Sequence, residues 1–211
     1  MGKEFIELFE QWAGSYDDSV NGHDPEYKEV FRNYENILQE VAARSEGNVL
    51  EFGPGTGNLT ERIAGRGMKV TAVEPSPAMR ELAVAKLAGR ADVFDGDFFN
   101  YPAGTYDTLV STYAFHHLTD AEKTKAIASY GNLLAPGGKI VFADTMYESA
   151  ADHQKAIADA LSKGYINLAE DLQREYYTTI PILKDILENN GFTAFFERCN
   201  DFVWMMTAEK K

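Results

Sequence analysis

The sequence predicts an α/β fold in which a mostly parallel sheet carries helices on its faces. From residue 48 onward, short apolar runs alternate with stretches of helical spacing, which is the pattern that parallel sheets produce. Near the C-terminus, two runs rich in Phe and Val predict an antiparallel hairpin at the edge of the sheet. No repeat, low-complexity tract or linker divides the chain, so we expect a single domain over residues 1–211.

The N-terminal part, residues 1–45, is predicted to be a helical flap. Apolar residues fall at helical spacing between Phe5 and Trp12, before a turn-rich break over residues 15–25. A second helix is predicted over residues 25–43, where the chain approaches the first strand of the sheet.

Residues 46–146 form the predicted core of the sheet. The short apolar runs predict strands at residues 49–52, 69–73, 91–95, 108–111 and 139–143. Helices are predicted between them, at residues 59–65, 77–87 and 121–134. The last of these helices ends before Pro136, which cannot continue a helix, and Gly137 and Gly138 then turn the chain into the next strand.

Residues 147–180 interrupt this alternation and predict a mostly helical cap rich in tyrosine. Tyr165, Tyr176 and Tyr177 could line an acceptor pocket, although aromatic residues on helices more often belong to a core. Residues 181–211 then predict a final helix and the C-terminal hairpin.

The composition restricts the possible partners. Thirty-three acidic residues against 20 basic ones give a formal net charge of −13, which would repel a nucleic-acid backbone. The N-terminus shows no basic stretch followed by an apolar run, and no later segment approaches about 20 uninterrupted apolar residues. We therefore expect a cytoplasmic protein with neither a nucleic-acid partner nor a membrane partner.

Three alternating glycines, Gly53, Gly55 and Gly57, follow the first predicted strand and would let the backbone approach a ligand closely. A dinucleotide fingerprint would have a small residue where Asn58 stands, and the Gly-Lys-Ser/Thr of a P-loop does not follow. Glu51 lies inside the strand, where its carboxylate would repel a phosphate but could pair with a cationic amino group. The turn therefore favours a nucleoside that carries an ammonium group and no phosphate, and S-adenosylmethionine has that shape.

Several motifs, in this order, resemble those of the class I S-adenosylmethionine-dependent methyltransferases. They lie at residues 51–57, 73–79, 95–98, 106–118 and 133–138. The resemblance extends over most of the chain and is closest to a group of Firmicute methyltransferases without an assigned methyl acceptor. It implies a Rossmann-like sheet of seven strands, mostly parallel, with the antiparallel hairpin at its C-terminal end.

The resemblance also implies which residues bind the cofactor. Glu51, Gly53 and Gly55 would hold the amino-acid end of S-adenosylmethionine. Glu74 would accept hydrogen bonds from both ribose hydroxyls, as one carboxylate can do. Glu74 could instead cap the helix that follows, although Ser76 is the better candidate for that cap.

Three further residues are implied at the adenine end and over the cofactor. Asp97 would accept a hydrogen bond from the adenine amino group, with Asp95 as the alternative acid, and Phe98 would cover the ring. Tyr16, in the motif Trp-Ala-Gly-Ser-Tyr-Asp, would close over the cofactor, with a simple packing role as the alternative.

His116 is the candidate catalytic residue, because an imidazole titrates near neutral pH and could act as a general base for a methyl acceptor. The alternative is that His116 and His117 only shape their loop. Adjacent histidines are expected to point in different directions, and no Cys-rich or His-x-x-x-His partner is present, so no metal site is predicted.

The expected reaction is the transfer of a methyl group from S-adenosylmethionine to a small-molecule acceptor, which leaves S-adenosylhomocysteine. An in-line displacement requires little covalent chemistry of the protein, so the lack of an obvious nucleophile fits this reaction. Two alternatives stay open: a protein that binds the cofactor without turnover, and a nucleotide-binding oxidoreductase, which Asn58 disfavours. The motifs do not specify the acceptor or the oligomeric state.

Overall fold

The computed structural model describes residues 22–211 together with Phe5, Glu10, Gly14, Asp17 and Val20. Tyr16 and most of the helix predicted between Phe5 and Trp12 lie outside these residues. None of the described helices has the length and apolar character that a membrane-spanning segment needs.

The centre of the described structure is a mixed sheet in the order β3-β2-β1-β4-β5-β8-β7, with β6 beside the end of β5. The strands are β1 (Asn48–Phe52), β2 (Lys69–Val73), β3 (Asp92–Phe94), β4 (Thr108–Thr112), β5 (Lys139–Tyr147), β6 (Thr178–Thr179), β7 (Phe192–Arg198) and β8 (Val203–Lys210). The first five strands are parallel to one another, and β8 lies antiparallel between β5 and β7. The strand order reverses between β1 and β4, which is where open sheets of this kind bind ligands.

Helices cover the faces of this sheet. Those in the described part of the chain are α1 (Tyr34–Arg44), α2 (Asn58–Gly65), α3 (Pro77–Leu87), α4 (Asp120–Leu133), α5 (Ala150–Ser162), α6 (Ile166–Arg174) and α7 (Ile180–Asn189). Ser76 caps α3 by accepting a hydrogen bond from the backbone N–H of Met79 at 3.4 Å, as the sequence predicted. Thr119 and Glu122 form a capping box at the start of α4.

Each face of the sheet packs against its own apolar core. Val49 of β1 belongs to the cluster that includes residues of α1, α2, α5 and α6. Leu50 and Phe52 belong to the other cluster, with residues of α4 and α7. Because side chains alternate along a strand, Glu51 lies on the same face of the sheet as Val49.

The predicted α/β class is confirmed, and the differences from prediction lie at element ends. The helix expected over residues 25–43 begins only at Tyr34, because the preceding residues form turns and Asn33 has a φ of 66°. β5 continues to Tyr147, because its end pairs with both β8 and the short β6. The described sheet therefore has eight strands, one more than predicted.

Candidate active site

The glycine turn after β1 lies where the strand order reverses. Gly53 has a φ of 64°, and its N–H donates to the carbonyl oxygen of Val73 at 3.0 Å. A Cβ on Gly53 would lie 2.8 Å from the Cβ of Ala114, in the segment that follows β4. Glycine is therefore required here both by the backbone angle and by the close approach of the two segments.

Glu74, directly after β2, holds the glycine turn from the other side. It is 4% exposed; its Oε2 accepts a hydrogen bond from the N–H of Gly55 at 3.0 Å, and its Oε1 accepts one from Ser76 at 2.9 Å. Burial raises the pKa of Glu74 to about 7, although these two backbone donors oppose the rise. Glu74 is thus a buried carboxyl at the edge where a cofactor would lie, and it can change its charge near neutral pH.

Glu51 is the second buried carboxyl at this edge. It is 1% exposed within β1, and its Oε2 has no hydrogen-bond partner among the described residues. Burial raises the pKa of Glu51 to about 8; the nearby Thr60 hydroxyl opposes the rise and the neighbouring Glu74 adds to it. A buried carboxyl oxygen without a partner is costly, and a bound cation would relieve that cost.

A polar network that the sequence did not predict ties the N-terminal segment to the glycine turn. Asp17 accepts hydrogen bonds from the Thr56 hydroxyl at 2.7 Å and from the Asn58 side-chain amide at 3.0 Å. The Lys86 ammonium donates to Asp17 at 3.0 Å and to the Asn58 Oδ1 at 2.6 Å. Asn58, which disfavoured a dinucleotide site, is therefore a hydrogen-bond partner of both the Asp17 carboxylate and the Lys86 ammonium. Only the Tyr-Asp motif that ends at Asp17 hinted at this contact.

Asp97 lies in a tight turn after β3. Its Oδ1 accepts hydrogen bonds from the backbone N–H groups of Phe99 at 2.7 Å and Asn100 at 3.0 Å. Asp97 is 8% exposed, whereas the side chain of Asp95, the alternative acid, is 78% exposed. This difference in burial favours Asp97 as the acid that belongs to the site.

The ring of Phe98 packs into the core beneath this turn. Its centroid lies 5.2 Å from that of Phe52 and 5.4 Å from that of Phe115. The next residue, Phe99, is 36% exposed. Phe98 therefore forms the floor of the turn, and its contact with an adenine ring stays a prediction.

His116 and His117 lie in a 3₁₀ turn, Phe115–His117, that follows β4. Their ring centroids are 4.1 Å apart, and Glu175, directly after α6, faces both rings. The distance from Nε2 of His116 to Glu175 Oε2 is 3.3 Å, and that from Nε2 of His117 to Oε1 is 3.8 Å. The expectation that the two histidines point apart is wrong, because both side chains bend towards one carboxylate from a distant segment.

The other ring nitrogen of each histidine is also held. Nδ1 of His116 lies 2.5 Å from Oδ1 of Asp144, whose Oδ2 accepts the backbone N–H of His116 at 3.0 Å. Nδ1 of His117 lies 2.9 Å from the carbonyl oxygen of Ala114. Carbonyl and carboxylate oxygens only accept hydrogen bonds, so these contacts favour a proton on Nδ1 of both rings.

The charges of this cluster depend on one another. Burial alone would lower the pKa of His116, but the carboxylates of Asp144 and Glu175 outweigh it and raise the pKa. Burial and the neighbouring His116 lower the pKa of His117. Burial would raise the pKa of Glu175, but the two histidines outweigh it and lower the pKa to about 2. The two carboxylates beside His116 therefore favour its protonated form.

The tyrosines of the predicted cap differ in their position. Tyr177 donates from its hydroxyl to Oε2 of Glu175 at 2.5 Å, and its ring stacks on His116 with centroids 5.0 Å apart. The backbone N–H of Tyr176 donates to the carbonyl oxygen of His116 at 3.0 Å. Tyr165 packs against the apolar core of the α1 face. The structure thus brings Tyr177 to the histidines and packs Tyr165 against the core, and an acceptor pocket lined by these tyrosines stays a prediction.

Tyr113, at the end of β4, is a strained residue that sequence reasoning missed. Its φ is 53°, which is uncommon for a residue with a side chain, and its buried hydroxyl has no hydrogen-bond partner among the described residues. The ring packs between Phe31 and Tyr34. No local signal marks such a residue, because its strain depends on the segments that surround it.

Comparison with known sequences identifies close relatives. A family model described as a methyltransferase domain matches residues 27–195. An uncharacterized methyltransferase of Geobacillus kaustophilus is 52% identical over 213 residues, which cover 100% of this chain and 99% of the relative. The uncharacterized methyltransferase YrrT of Bacillus subtilis is also 52% identical over 213 residues and is covered completely.

Solved structures share the fold at much lower identity. The DhpI–SAH complex superposes with a TM-score of 0.72 at 18% identity, covering 100% of this chain and 97% of that one. Magnesium protoporphyrin IX methyltransferase (ChlM) from Synechocystis PCC 6803 with bound SAM gives a TM-score of 0.69 at 14% identity, covering 98% and 97%. The [4+2]-cyclase SpnF gives 0.64 at 16% identity, covering 83% and 80%, so this fold also carries other reactions.

Proposed function

Because the chain belongs to a family of methyltransferases, we propose that it transfers the methyl group of S-adenosylmethionine to a small-molecule acceptor. The second product is S-adenosylhomocysteine. The acidic charge of the chain, −13, disfavours a nucleic-acid substrate and supports this choice of acceptor. We further propose that the protein acts in the cytoplasm.

The observation that carries this proposal is the buried, unpartnered carboxyl oxygen of Glu51 beside the glycine turn. An amino acid has an ammonium group that could pair with this carboxyl, directly or through water, and so lower its pKa. A phosphate in the same place would raise this pKa further and would leave the carboxyl without a cationic partner. Glu51, Gly53 and Gly55 would thus hold the amino-acid end of the cofactor.

Glu74 and Asp97 would hold the nucleoside end. Each oxygen of Glu74 accepts one backbone hydrogen bond and retains a lone pair for a ribose hydroxyl. Asp97 also keeps capacity on Oδ2, which accepts one hydrogen bond, from the side chain of Asn100 at 2.9 Å. Phe98 would contact the adenine from the floor of the turn.

The N-terminal segment would close the site. Asp17 is anchored to Lys86 and to the residues of the glycine turn, so it holds the chain next to the turn at a defined point. Tyr16, which precedes Asp17, would then lie over the cofactor. Closure of this kind excludes water and fixes the distance between the reactants.

Bound S-adenosylmethionine supplies an activated methyl group on its sulfonium. The residues of this chain would orient the acceptor in line with the carbon–sulfur bond and accept or direct its proton. His116, in its neutral form with Nε2 free to accept a proton, is the candidate for this second task, since it follows β4 and its ring is held in place by Asp144.

Titration calorimetry with S-adenosylhomocysteine tests the cofactor assignment, with NADH as the control for an oxidoreductase. S-adenosylhomocysteine should bind and raise the thermal midpoint, and NADH should do neither. Glu74→Ala should weaken binding by about 1–3 kcal/mol, because a charged hydrogen-bond acceptor is lost. The matched control Glu170→Gln, at an exposed position, should bind normally. Equal affinity in Glu74→Ala would refute the ribose assignment.

The acceptor class is tested separately, by a screen of small metabolites with release of S-adenosylhomocysteine as the readout. Release that depends on one acceptor would support the proposal. Tight cofactor binding without turnover on any acceptor would favour a protein that only binds the cofactor. Turnover on RNA or DNA alone would contradict the small-molecule proposal.

A further inference from the structure

Three potential metal ligands converge on the side of the site that follows β4. One ring nitrogen of His116, one ring nitrogen of His117 and a carboxylate oxygen of Glu175 all lie within 4.8 Å of one another. Their side chains are only 11%, 11% and 8% exposed. Two imidazoles and one carboxylate are the ligand set of several catalytic zinc sites, in which substrate or water takes the fourth position.

The spacing of these atoms fits a small divalent ion. With bonds of about 2.1 Å in a tetrahedron, neighbouring ligand atoms stand about 3.4 Å apart. The two nitrogen-to-oxygen distances from the histidines to Glu175 are 3.3 Å and 3.8 Å. These two distances, each to a different oxygen of the carboxylate, are close to the separation that a shared ion requires.

Each potential ligand also has an outer partner that would orient it. Nδ1 of His116 contacts Asp144 at 2.5 Å, and Nδ1 of His117 contacts the Ala114 carbonyl at 2.9 Å. Glu175 accepts a hydrogen bond from the Tyr177 hydroxyl at 2.5 Å. Metal-binding histidines typically donate their other N–H to such oxygens, and metal-binding carboxylates are themselves hydrogen-bonded.

We propose that His116, His117 and Glu175 bind one divalent transition-metal ion of the zinc class. Bound to the ion through Nε2, His116 would act as a ligand instead of a general base. Lys123, whose ammonium is buried nearby and donates to the carbonyl oxygens of Leu118 and Tyr176, would remain in place.

The position of the ion indicates a role in binding the methyl acceptor, and this role rests on the proposed function. Ala114, which immediately precedes the 3₁₀ turn, packs against Gly53 of the glycine turn. Phe5, from the N-terminal segment, covers the cluster, with ring centroids 5.0 Å from that of His117 and 6.1 Å from that of Tyr176. An acceptor bound to the ion would therefore lie beside the cofactor and away from water. A hydroxyl that binds the ion would have a lowered pKa and would release its proton to water before the site closes; its oxygen would then attack the methyl carbon as the carbon–sulfur bond breaks.

Metal binding is tested without cofactor or acceptor, on untagged protein. Equilibrium dialysis against Zn²⁺, followed by elemental analysis, should find one equivalent in the wild type and in His23→Ala, which removes a histidine at an exposed position. Glu175→Gln and His117→Asn should lose this equivalent. Asp144→Asn, which changes only an outer partner, should bind about 10- to 100-fold more weakly. Circular dichroism establishes that each variant is folded.

A second measurement requires no variant. Co²⁺ added to the wild type should produce visible absorption typical of a four-coordinate site, and Zn²⁺ should abolish it. Absence of a bound equivalent in the wild type, or equal Zn²⁺ binding in Glu175→Gln, overturns the proposal. Because no cofactor is present, this result is independent of whether S-adenosylhomocysteine binds, so failure of the metal site and failure of the proposed function are distinguishable.

Discussion

Binding of the cofactor is expected to release protons, because the two carboxyls that would hold it are partly protonated in its absence. The pKa of Glu74 is raised to about 7 and that of Glu51 to about 8. An ammonium group beside Glu51 and hydroxyls on Glu74 would stabilise the charged carboxylates, so both pKa values should fall on binding. The affinity for S-adenosylhomocysteine should therefore rise as the pH increases from about 6 to about 8.

The size of the effect follows from the same two pKa values. At about pH 6.5, Glu74 and Glu51 together carry about 1.7 protons, which binding should release. At about pH 8, the release should fall to about 0.6 protons. Each released proton steepens the dependence of affinity on pH by up to tenfold per pH unit, or about 1.4 kcal/mol.

Titration calorimetry in two buffers of different ionisation enthalpy measures this release directly. Glu51→Gln should remove about one of the protons at about pH 6.5, because the amide cannot titrate. Glu170→Gln should leave the release unchanged. Zero release in the wild type at this pH, or an equal release in Glu51→Gln, would refute the placement of the cofactor beside these carboxyls.

The remaining predictions concern stability and the N-terminal segment. Without cofactor, the free energy of unfolding should fall as pH rises from about 4.5 to about 8, because Glu51 and Glu74 bind protons more tightly in the folded chain. Urea unfolding at several pH values measures this, and a free energy that does not change with pH would contradict it. In the same assay, Gly53→Ala should lower the free energy of unfolding by about 1–3 kcal/mol more than Gly67→Ala does. Both glycines have a positive φ, but only at Gly53 would the new Cβ meet a neighbour, the Cβ of Ala114 at 2.8 Å. Equal losses in the two variants would exclude that contact. Lys86→Met, which removes the ion pair with Asp17, should speed dissociation of S-adenosylhomocysteine about tenfold in stopped flow, the effect of losing about 1.4 kcal/mol. An unchanged rate would show that the contact between Lys86 and Asp17 does not help to close the site.

The parts of the site that depend on local spacing could be predicted from the sequence. A buried strand followed by alternating glycines identifies the turn at Gly53, because few residues tolerate its backbone angle. An acid at the end of the next strand, Glu74, must lie beside that turn, because neighbouring parallel strands end at the same edge. The alternation of strands and helices likewise determined the α/β class before any contact was known.

Only the tertiary structure decided which distant groups meet. Glu175 reaches His116 and His117 because the chain after α6 crosses the end of β4, and no sequence spacing encodes that crossing. The contact between Lys86 and Asp17, which lie far apart in the sequence, likewise forms only in the folded chain. The sequence by itself therefore determined the α/β class and the glycine turn, which follow from local periodicity and backbone sterics. The charge state of the buried carboxyls and the convergence of the histidines depend on burial and on long-range packing, which only the folded chain provides.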